Sequence, residues 1–330
     1  MADTFQGDEK DRSKMTMLET MKLGKTGIEI SRLGMGCWAI GGHGWGNVND
    51  EDSIRAVKCA LDKGVTFFDT ADTYGLGKSE TLLSSILGDE RKNVIIASKG
   101  GVRWDESGKV WTDLSPAYLR EAVENSLRRL KLDCIPLYYI HKHDGLTPIQ
   151  DVIAVLTRMQ EEGKIGAIGV ANFNADQLLQ ALQVTPIAAA QLRFNIFDRQ
   201  AAKKLMNVCQ ENNITLVAWG ALADGLLTGK FKTITNFSAD DHRSRMAEFD
   251  GDTFLSHAKC VELLEQLSLS LGHKLSHLAL RWVLDFAPFA CSLFGAKTDK
   301  QVQENIGADG WKLTKESLQL IDSMTETCWR

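Results

Sequence analysis

The sequence predicts a single α/β domain in which eight parallel strands alternate with helices: a (β/α)8 TIM barrel with extra helices and a long loop after the seventh strand. Three observations predict it. Short apolar runs alternate with longer stretches of helical period, the pattern of a parallel sheet covered by helices. The runs are near-continuously apolar, as strands buried on both faces must be. Eight such units fill about the length of a barrel, and no Pro/Gly/Ser-rich linker divides the chain.

The candidate strands are residues 33–37, 65–69, 94–98, 135–140, 165–170, 187–191, 214–218 and 291–294. Leu119, Val123, Leu127 and Leu130 recur at helical spacing between the third and fourth strands. Ile149, Val152, Ile153, Leu156 and Met159 do so after the fourth, giving each helix one buried stripe. Thr147-Pro148-Ile149-Gln150 supplies a start signal: an N-cap threonine, proline at the first helical position and glutamine three residues after the cap. Ser115-Pro116 repeats the cap and proline. Residues 220–252 form a long polar loop with Gly225, Gly229 and the run Asp241-His242-Arg243-Ser244-Arg245; loops of that size are functional or mobile. An extra helix is expected over 255–271, before one at 276–286.

Residues 1–20 are polar, mixed in charge and without an apolar stretch. They are expected to be a mobile N-terminal tail and not a signal peptide, leaving 21–330 as the barrel domain. The most apolar window, 277–296, holds Arg281 and Asp285 at i,i+4 and is broken by Pro288. It reads as helix, turn and strand, not as a membrane span.

Composition narrows the function. With 44% apolar and 25% charged residues, the chain has an ordinary globular balance and ample core. A net charge of −5 argues against a general nucleic-acid binder. Seven cysteines, dispersed and without a CxxC, fit reduced thiols in the cytoplasm better than a disulfide framework.

Four polar residues stand out by position. Asp69 closes the second strand, Tyr74 follows five residues later, and Lys99 and His141 come directly after the third and fourth strands. Polar groups at the ends of successive parallel strands mark the catalytic face. A carboxylate, a phenol, an ammonium and an imidazole gathered there can hand a proton to a carbonyl oxygen. Singly, Asp69 or Lys99 reads as a barrel-interior salt bridge.

His141-Lys142-His143 invites a second reading, a metal-dependent barrel hydrolase, because histidines at i,i+2 project to one side. The fifth and sixth strands end in Val170 and Gln191 and supply no further ligand. Two nucleotide motifs fall short. Gly34-Met35-Gly36-Cys37-Trp38-Ala39 matches a loose dinucleotide fingerprint, but its glycine-rich continuation to Gly46 cannot open a helix. Gly77-Lys78-Ser79 resembles the end of a P-loop whose leading glycine is here Asp72.

Six segments in order then carry a family resemblance: Leu23-Gly24-Lys25-Thr26-Gly27, Phe68-Asp69-Thr70-Ala71-Asp72-Thr73-Tyr74-Gly75, Ser98-Lys99-Gly100-Gly101, Gly169-Val170-Ala171-Asn172-Phe173, Gly225-Leu226-Leu227-Thr228-Gly229-Lys230, and Gly295-Ala296-Lys297 with Gln301-Val302-Gln303-Glu304-Asn305. From about Lys22 to Trp311 the chain resembles the aldo-keto reductase superfamily. The resemblance implies an NAD(P)H-dependent oxidoreductase moving a hydride between nicotinamide and a carbonyl or alcohol. NADP is the expected cofactor and NAD the alternative.

By position, Tyr74 would be the proton donor, Lys99 would lower its pKa, Asp69 would hold Lys99, and His141 would align the substrate oxygen. Asn172 and Gln191 would hold the carboxamide, and Trp219 would stack on the ring. Lys297, Gln301, Glu304 and Asn305 would surround the adenosine end, with Lys297 on a 2′-phosphate. Arg243 or Arg245 would fold over the phosphates. Cys37, Trp38, Gly220, Leu222, Lys230 and Gly295 complete the expected cofactor surface.

The chain departs from the family pattern at Ala171, where serine is frequent, at Trp219, where tyrosine is frequent, and at Gly220-Ala221-Leu222, which replaces Ser-Pro-Leu. Taken outside the family, Asn172 and Gln191 could simply satisfy strand ends, and Arg243 and Arg245 could be solvated loop charges. Trp282, Trp311 and Trp329 are assigned to packing.

The loops after the first and third strands carry Trp38, Trp45, Trp104 and Trp111. With His43, His143 and Asp144 they suggest a pocket mouth for a polyhydroxylated or aromatic carbonyl compound. Some superfamily members resemble sensors, so a nucleotide-binding redox-sensing regulatory subunit is the non-enzymatic alternative.

Overall fold

The structure is a computed structural model; residues 17–42, 44–46, 48–105, 109–200 and 202–326 are described. Eight parallel strands close a barrel: β3 (Leu33–Gly36), β4 (Phe67–Asp69), β5 (Ile95–Gly100), β8 (Ile135–Ile140), β9 (Ile165–Ala171), β10 (Ala189–Arg193), β11 (Thr215–Trp219) and β12 (Ala290–Gly295), with β12 pairing back to β3. Around them lie α1 (Asp50–Asp62), α2 (Lys78–Leu87), α3 (Pro116–Leu130), α4 (Ile149–Glu161), α5 (Ala175–Leu182), α6 (Lys203–Asn212), α7 (Gly251–Ser270), α8 (Leu275–Phe286), α9 (Asp299–Ile306) and α10 (Lys315–Thr325). Each expected strand is present, and α7 is the expected extra helix.

The period-2 geometry of strands sorts their side chains into two cores. Phe67, Ala97, Leu137, Tyr139, Ala167, Val217, Cys291 and Leu293 fill the barrel interior, whereas Phe68, Ile96, Tyr138 and Ile168 face the helices. A hairpin of β1 (Thr20–Lys22) and β2 (Glu29–Ser31) adds Leu23 and Ile30 to the interior core and closes the end where the strands begin. Gly24 there, at φ +52°, lies so close to the Ala188 carbonyl that a Cβ would stand 2.5 Å from its oxygen. Among the described residues, the barrel is therefore open where the strands end.

Three boundaries differ from expectation. The helix after the fourth strand begins at Ile149, not Pro148, because Thr147 does not cap it: its hydroxyl donates to Asp144 Oδ2 at 2.6 Å. The sixth strand runs Ala189–Arg193, so it ends in Arg193 and not in Gln191. The tail ends earlier than residue 20: Leu18 is buried and Glu19 pairs with Arg32 and Arg281, while residues 1–16 lie outside those described. Among the cysteines, Cys37, Cys59, Cys134, Cys209 and Cys291 are free thiols, but Cys260 is disulfide-bonded, which corrects the expectation of a wholly reduced set. Ser115 caps α3 as expected, accepting from the Tyr118 N–H.

Window 277–296 is a helix, a turn and a strand, and no helix among the described residues is long and apolar enough to cross a membrane. Arg281, fully buried in α8, is held by Asp285 at 2.7 Å and Glu19 at 2.7 Å. Trp282 stacks between Phe194 and Phe286, and Trp311 lies 3.7 Å from the His273 ring, so both pack; Trp329 lies outside the described residues.

Removing one partner of a buried ion pair strands the other charges, at a cost of about 3 kcal/mol. Arg281→Ala should lower the unfolding free energy by about that amount and make the chain near Leu18 protease-sensitive. Denaturant titration and limited proteolysis check both outcomes.

Candidate active site

β4, β5 and β8 deliver three of the four expected catalytic residues to the mouth because inward positions alternate. Phe67 and Asp69 point inward on β4, as do Ala97 and Lys99 on β5. His141 follows Ile140, its N–H donating to the Gly100 carbonyl at 2.9 Å. Tyr74 enters from the loop between β4 and α2. That loop is fixed by Gly75, at φ +61°, where a Cβ would meet the Gly41 carbonyl oxygen at 2.3 Å.

The Lys99 ammonium donates to Asp69 Oδ1 at 2.5 Å, to the Thr70 carbonyl at 2.8 Å and to the Tyr74 hydroxyl at 3.3 Å. Gln191 Nε2 donates to the other Asp69 oxygen at 2.6 Å. Tyr74 stands edge-on to His141, with ring centroids 5.9 Å apart.

Burial dominates the electrostatics. The phenol of Tyr74 is pushed above its usual pKa, first by burial, with Asp69 adding to the rise and Lys99 opposing it. This corrects the expectation of a net lowering: the pull of Lys99 is present but outweighed. Lys99 is raised despite burial, because Asp69 and Tyr74 face it, and stays charged. His141 is pushed down to about 3 by burial and then by Lys99 and Lys142, so it is neutral. A protonated phenol, a charged ammonium and a neutral imidazole are the states in which a proton can be given to a carbonyl oxygen and a hydrogen bond offered beside it.

A model of the aldo/keto reductase family matches residues 32–326. The chain belongs to the aldo/keto reductase family. Aldo-keto reductase YhdN of Bacillus subtilis (strain 168) is 35% identical over 312 residues, 94% of either chain. Probable aldo-keto reductase 1 of Glycine max is 30% identical, covering 92% of this chain and 88% of that one. Among solved structures, the glycerol dehydrogenase AKR11B4 from Gluconobacter oxydans superposes with a TM-score of 0.86 at 36% identity, over 93% of this chain and 94% of that one. The holo form of aldo-keto reductase AKR11C1 from Bacillus halodurans gives 0.77 at 27%, over 93% and 96%. Like its family, the chain is an NAD(P)H-dependent oxidoreductase acting on small-molecule carbonyl substrates.

The reductase's expected cofactor residues lie at strand ends and in the segments that follow them, with several side chains already engaged. Asn172, in the left-handed region at φ +59°, donates from Nδ2 to the His141 carbonyl and accepts from Trp219 Nε1 at 3.3 Å. Trp219 carries the Arg193 guanidinium 5.7 Å from its ring. Cys37 is fully buried, its thiol pushed up by burial, so it packs beside Asp69 instead of offering a surface. Gly220 takes φ +67°, and the Leu222 carbonyl receives the N–H groups of Gly225 and Leu227. The Glu304 carboxylate is already engaged, by Lys274 at 2.7 Å and Ser276 at 3.0 Å. Asn305 donates to the Gly295 carbonyl at 3.4 Å, and Gln301 Oε1 accepts from the Lys297 N–H at 2.7 Å, closing the turn after β12.

The long loop after β11 is a strap, not an open loop. Asp241 forms a β-bridge with Trp45, the His242 N–H donates to the Gly44 carbonyl at 2.9 Å, and its ring nitrogens face that carbonyl at 2.7 Å and Asp224 Oδ1 at 3.0 Å. Asp224 also takes Arg193 at 2.9 Å. Ala223, Asp224 and Gly225 adopt three successive left-handed conformations, local strain of the kind kept at functional sites. His242 and Asp224 carried no sequence signal beyond their place in a long loop.

Arg243 is not a solvated charge: it is buried, bidentate to Asp241 at 2.9 and 2.6 Å, and 4.4 Å from the Phe237 ring. Arg245 is exposed, with one hydrogen bond to the Ala239 carbonyl. Lys230, Arg243 and Lys297 stand near one another. Lys230 is pulled down to about 8 by desolvation and then by its two cationic neighbours, and Lys297 is lowered by burial and Arg243. Among the described residues, a cationic group balanced by Asp241, and a buried Trp45 indole N–H without a partner, fits an anionic ligand such as a phosphate-bearing cofactor.

Of the expected substrate groups, Trp38 stacks on Tyr74 at 6.1 Å and touches Trp45 at 5.3 Å and His242 at 4.7 Å. Trp104 and Trp111 lie on the hairpin of β6 (Val102–Trp104) and β7 (Val110–Thr112). Arg103 pairs with Trp111, so Trp104, one residue on, faces the opposite side of the ribbon. Trp111 is on the side of Arg103, whose guanidinium lies 5.9 Å from its ring and 5.1 Å from the Tyr118 ring. His143 is also corrected: Nδ1 accepts from the Gly145 N–H at 2.9 Å and Nε2 meets the Thr147 carbonyl at 2.6 Å, so both nitrogens serve its own loop and neither is left for a substrate or metal. His43 lies outside the described residues.

The depressed pKa of His141 sets a pH dependence of stability. Between about 3 and 6.5 the unfolded chain takes up a proton here that the folded chain refuses, so His141 makes stability fall as pH drops through that window. Wild type should lose stability faster than His141→Asn from pH 7 to pH 4, by up to about 1 kcal/mol per pH unit. Denaturation midpoints of the two proteins across that range provide the check.

Proposed function

We propose that Tyr74 is the proton donor of an NADP(H)-preferring reductase whose substrates are small polyhydroxylated or aromatic carbonyl compounds and the matching alcohols. The observation that carries this reading is the chain from the Tyr74 hydroxyl to Lys99 to Asp69, set beside neutral His141 at the mouth where the strands end. When bound, the reduced nicotinamide supplies the hydride. Tyr74 gives its proton to the carbonyl oxygen, and the Lys99 charge steadies the phenolate left behind. His141 donates a hydrogen bond to the same oxygen without adding a charge, and Asp69 keeps Lys99 extended toward the phenol.

Lys230, Arg243 and Lys297 would hold the phosphates, and Asn172, Gln191 and Trp219 the nicotinamide. The strap and the Trp38–Trp45–His242 ring group form one wall, which suits the C–H face of a polyol or a flat ring. The superposition on a glycerol dehydrogenase supports the polyol class.

Tyr74→Phe should lower turnover by roughly 10²–10⁴ while nucleotide binding stays near wild type. A panel of alkyl aldehydes, aryl aldehydes, hydroxyketones and polyols, run on both proteins, tests the donor and the substrate class together. Near wild-type turnover in the variant sinks the assignment of Tyr74, and the best specificity constants on simple alkyl aldehydes sink the polyol reading.

The cofactor preference has its own test. Lys297→Ala should weaken NADPH binding about tenfold at low salt and NADH binding far less, the gap narrowing as salt rises. Fluorescence titration with both nucleotides measures it; equal affinities that ignore the substitution overturn the preference.

A further inference from the structure

Behind the mouth, the first turn of α2 is bound to the backs of the elements that carry the catalytic groups. Thr70 and Ser98, the chain neighbours of Asp69 and Lys99, turn their hydroxyls toward the helix layer. Ser79 Oγ lies 2.8 Å from Thr70 Oγ1 and donates to the Cys37 carbonyl at 2.8 Å, so the Thr70 hydroxyl donates to it. The Ser79 backbone N–H donates to the Tyr74 carbonyl at 3.1 Å. The next residue, Glu80, accepts from Ser98 Oγ at 2.5 Å and from Arg129 Nε of α3 at 2.6 Å. Thr70, Ser79, Glu80 and Ser98 are fully buried.

We propose that Ser79 and Glu80 are positioning residues for the proton donor, holding Tyr74, Asp69 and Lys99 at the spacing the transfer needs. The inference rests on the role given to Tyr74 above. Two adjacent helical residues reach three strands and the Tyr74 loop: Ser79 fixes the end of β3, the back of Asp69 and the Tyr74 backbone, and Glu80 fixes the back of Lys99. A buried carboxylate spent on a serine hydroxyl next to the catalytic lysine is a costly way to pack a helix, since apolar residues would do so without desolvating a charge. It is explained if the separation of Lys99 from Tyr74, 3.3 Å here, is what must be kept. Asp72, whose buried carboxyl is pushed well above its usual range by burial and by Glu80, adds a second acid behind the same loop.

The test compares Ser79→Ala, Ser98→Ala and Tyr74→Phe with wild type in steady-state kinetics across pH, nucleotide binding and thermal unfolding. Ångström-scale misplacement of reacting groups costs on the order of 10²-fold, so kcat should fall about ten- to a hundredfold in the two serine variants, with KM and nucleotide affinity within about twofold of wild type. The groups facing the Tyr74 ring and hydroxyl are Lys99, Asp69, Cys37 and His141. With Lys99 displaced, its lowering pull on the phenol weakens, so the alkaline limb of carbonyl reduction should move to higher pH. A purely structural role would lower the unfolding temperature and leave that limb in place.

If Ser79→Ala does not fold, Ser98→Ala decides, because it leaves Glu80 paired with Arg129. Wild-type kcat and an unmoved limb in a folded serine variant overturn the positioning role while Tyr74→Phe is still inactive. Turnover surviving in Tyr74→Phe instead overturns the donor assignment itself.

Discussion

The ion pair between Lys99 and Asp69 is the constraint on which the rest of the site depends. Both side chains are almost wholly withdrawn from water, at 1% and 4% exposed. Such a pair does not stabilise a barrel better than well-packed apolar residues would, because each ion gives up its hydration on burial. It persists only with its remaining hydrogen-bonding capacity met, and the fold meets it. The Thr70 carbonyl takes one ammonium proton, Tyr74 another, and Gln191 donates to the free carboxylate oxygen. The same charges act on their surroundings: Asp69 helps raise the thiols of Cys37 and Cys291, already raised by burial, and Lys99 helps keep His141 neutral.

Much of this was legible in the sequence because it depends on local periodicity. Buried parallel strands are read from apolar runs, and the residue at each run's end falls at the mouth; Asp69, Lys99 and His141 follow from that rule alone. What could not be read depends on contacts that periodicity does not encode, whether near or distant in the chain. Arg243 is a loop charge in the sequence and a buried, Asp241-bound guanidinium in the fold. Glu304 resembles an adenosine ligand by motif, yet Lys274 and Ser276 claim it from thirty and twenty-eight residues away. His143 was attractive as a mouth residue because its position is right, but its two nitrogens are taken by a turn no propensity reveals. The indoles of Trp104 and Trp111 were separable only once the ribbon register was known.

The strap is the clearest case of tertiary structure overriding local character. Its polar, glycine-containing sequence predicts mobility, but direct hydrogen bonds to the loop after β3 and a cluster of Phe231, Phe237 and Phe249 rings hold it. These contacts tie the wall of the substrate mouth to the cationic group in one piece of structure, since Trp45 touches His242 on one side and Lys297 donates to its carbonyl on the other. Whatever orders the strap at its cationic side therefore also orders Trp45, which packs on the indole stacked on Tyr74.

The hairpin of β1 and β2 has a practical consequence. It covers the end of the barrel opposite the catalytic mouth, and Glu19, just before it, is pinned to Arg32 and Arg281 on that same end. Glu19 and the hairpin thus mark the far side of the molecule from the mouth. A surface or resin that grips that end of the barrel would hold the enzyme with its mouth turned outward, leaving the approach of cofactor and substrate unobstructed.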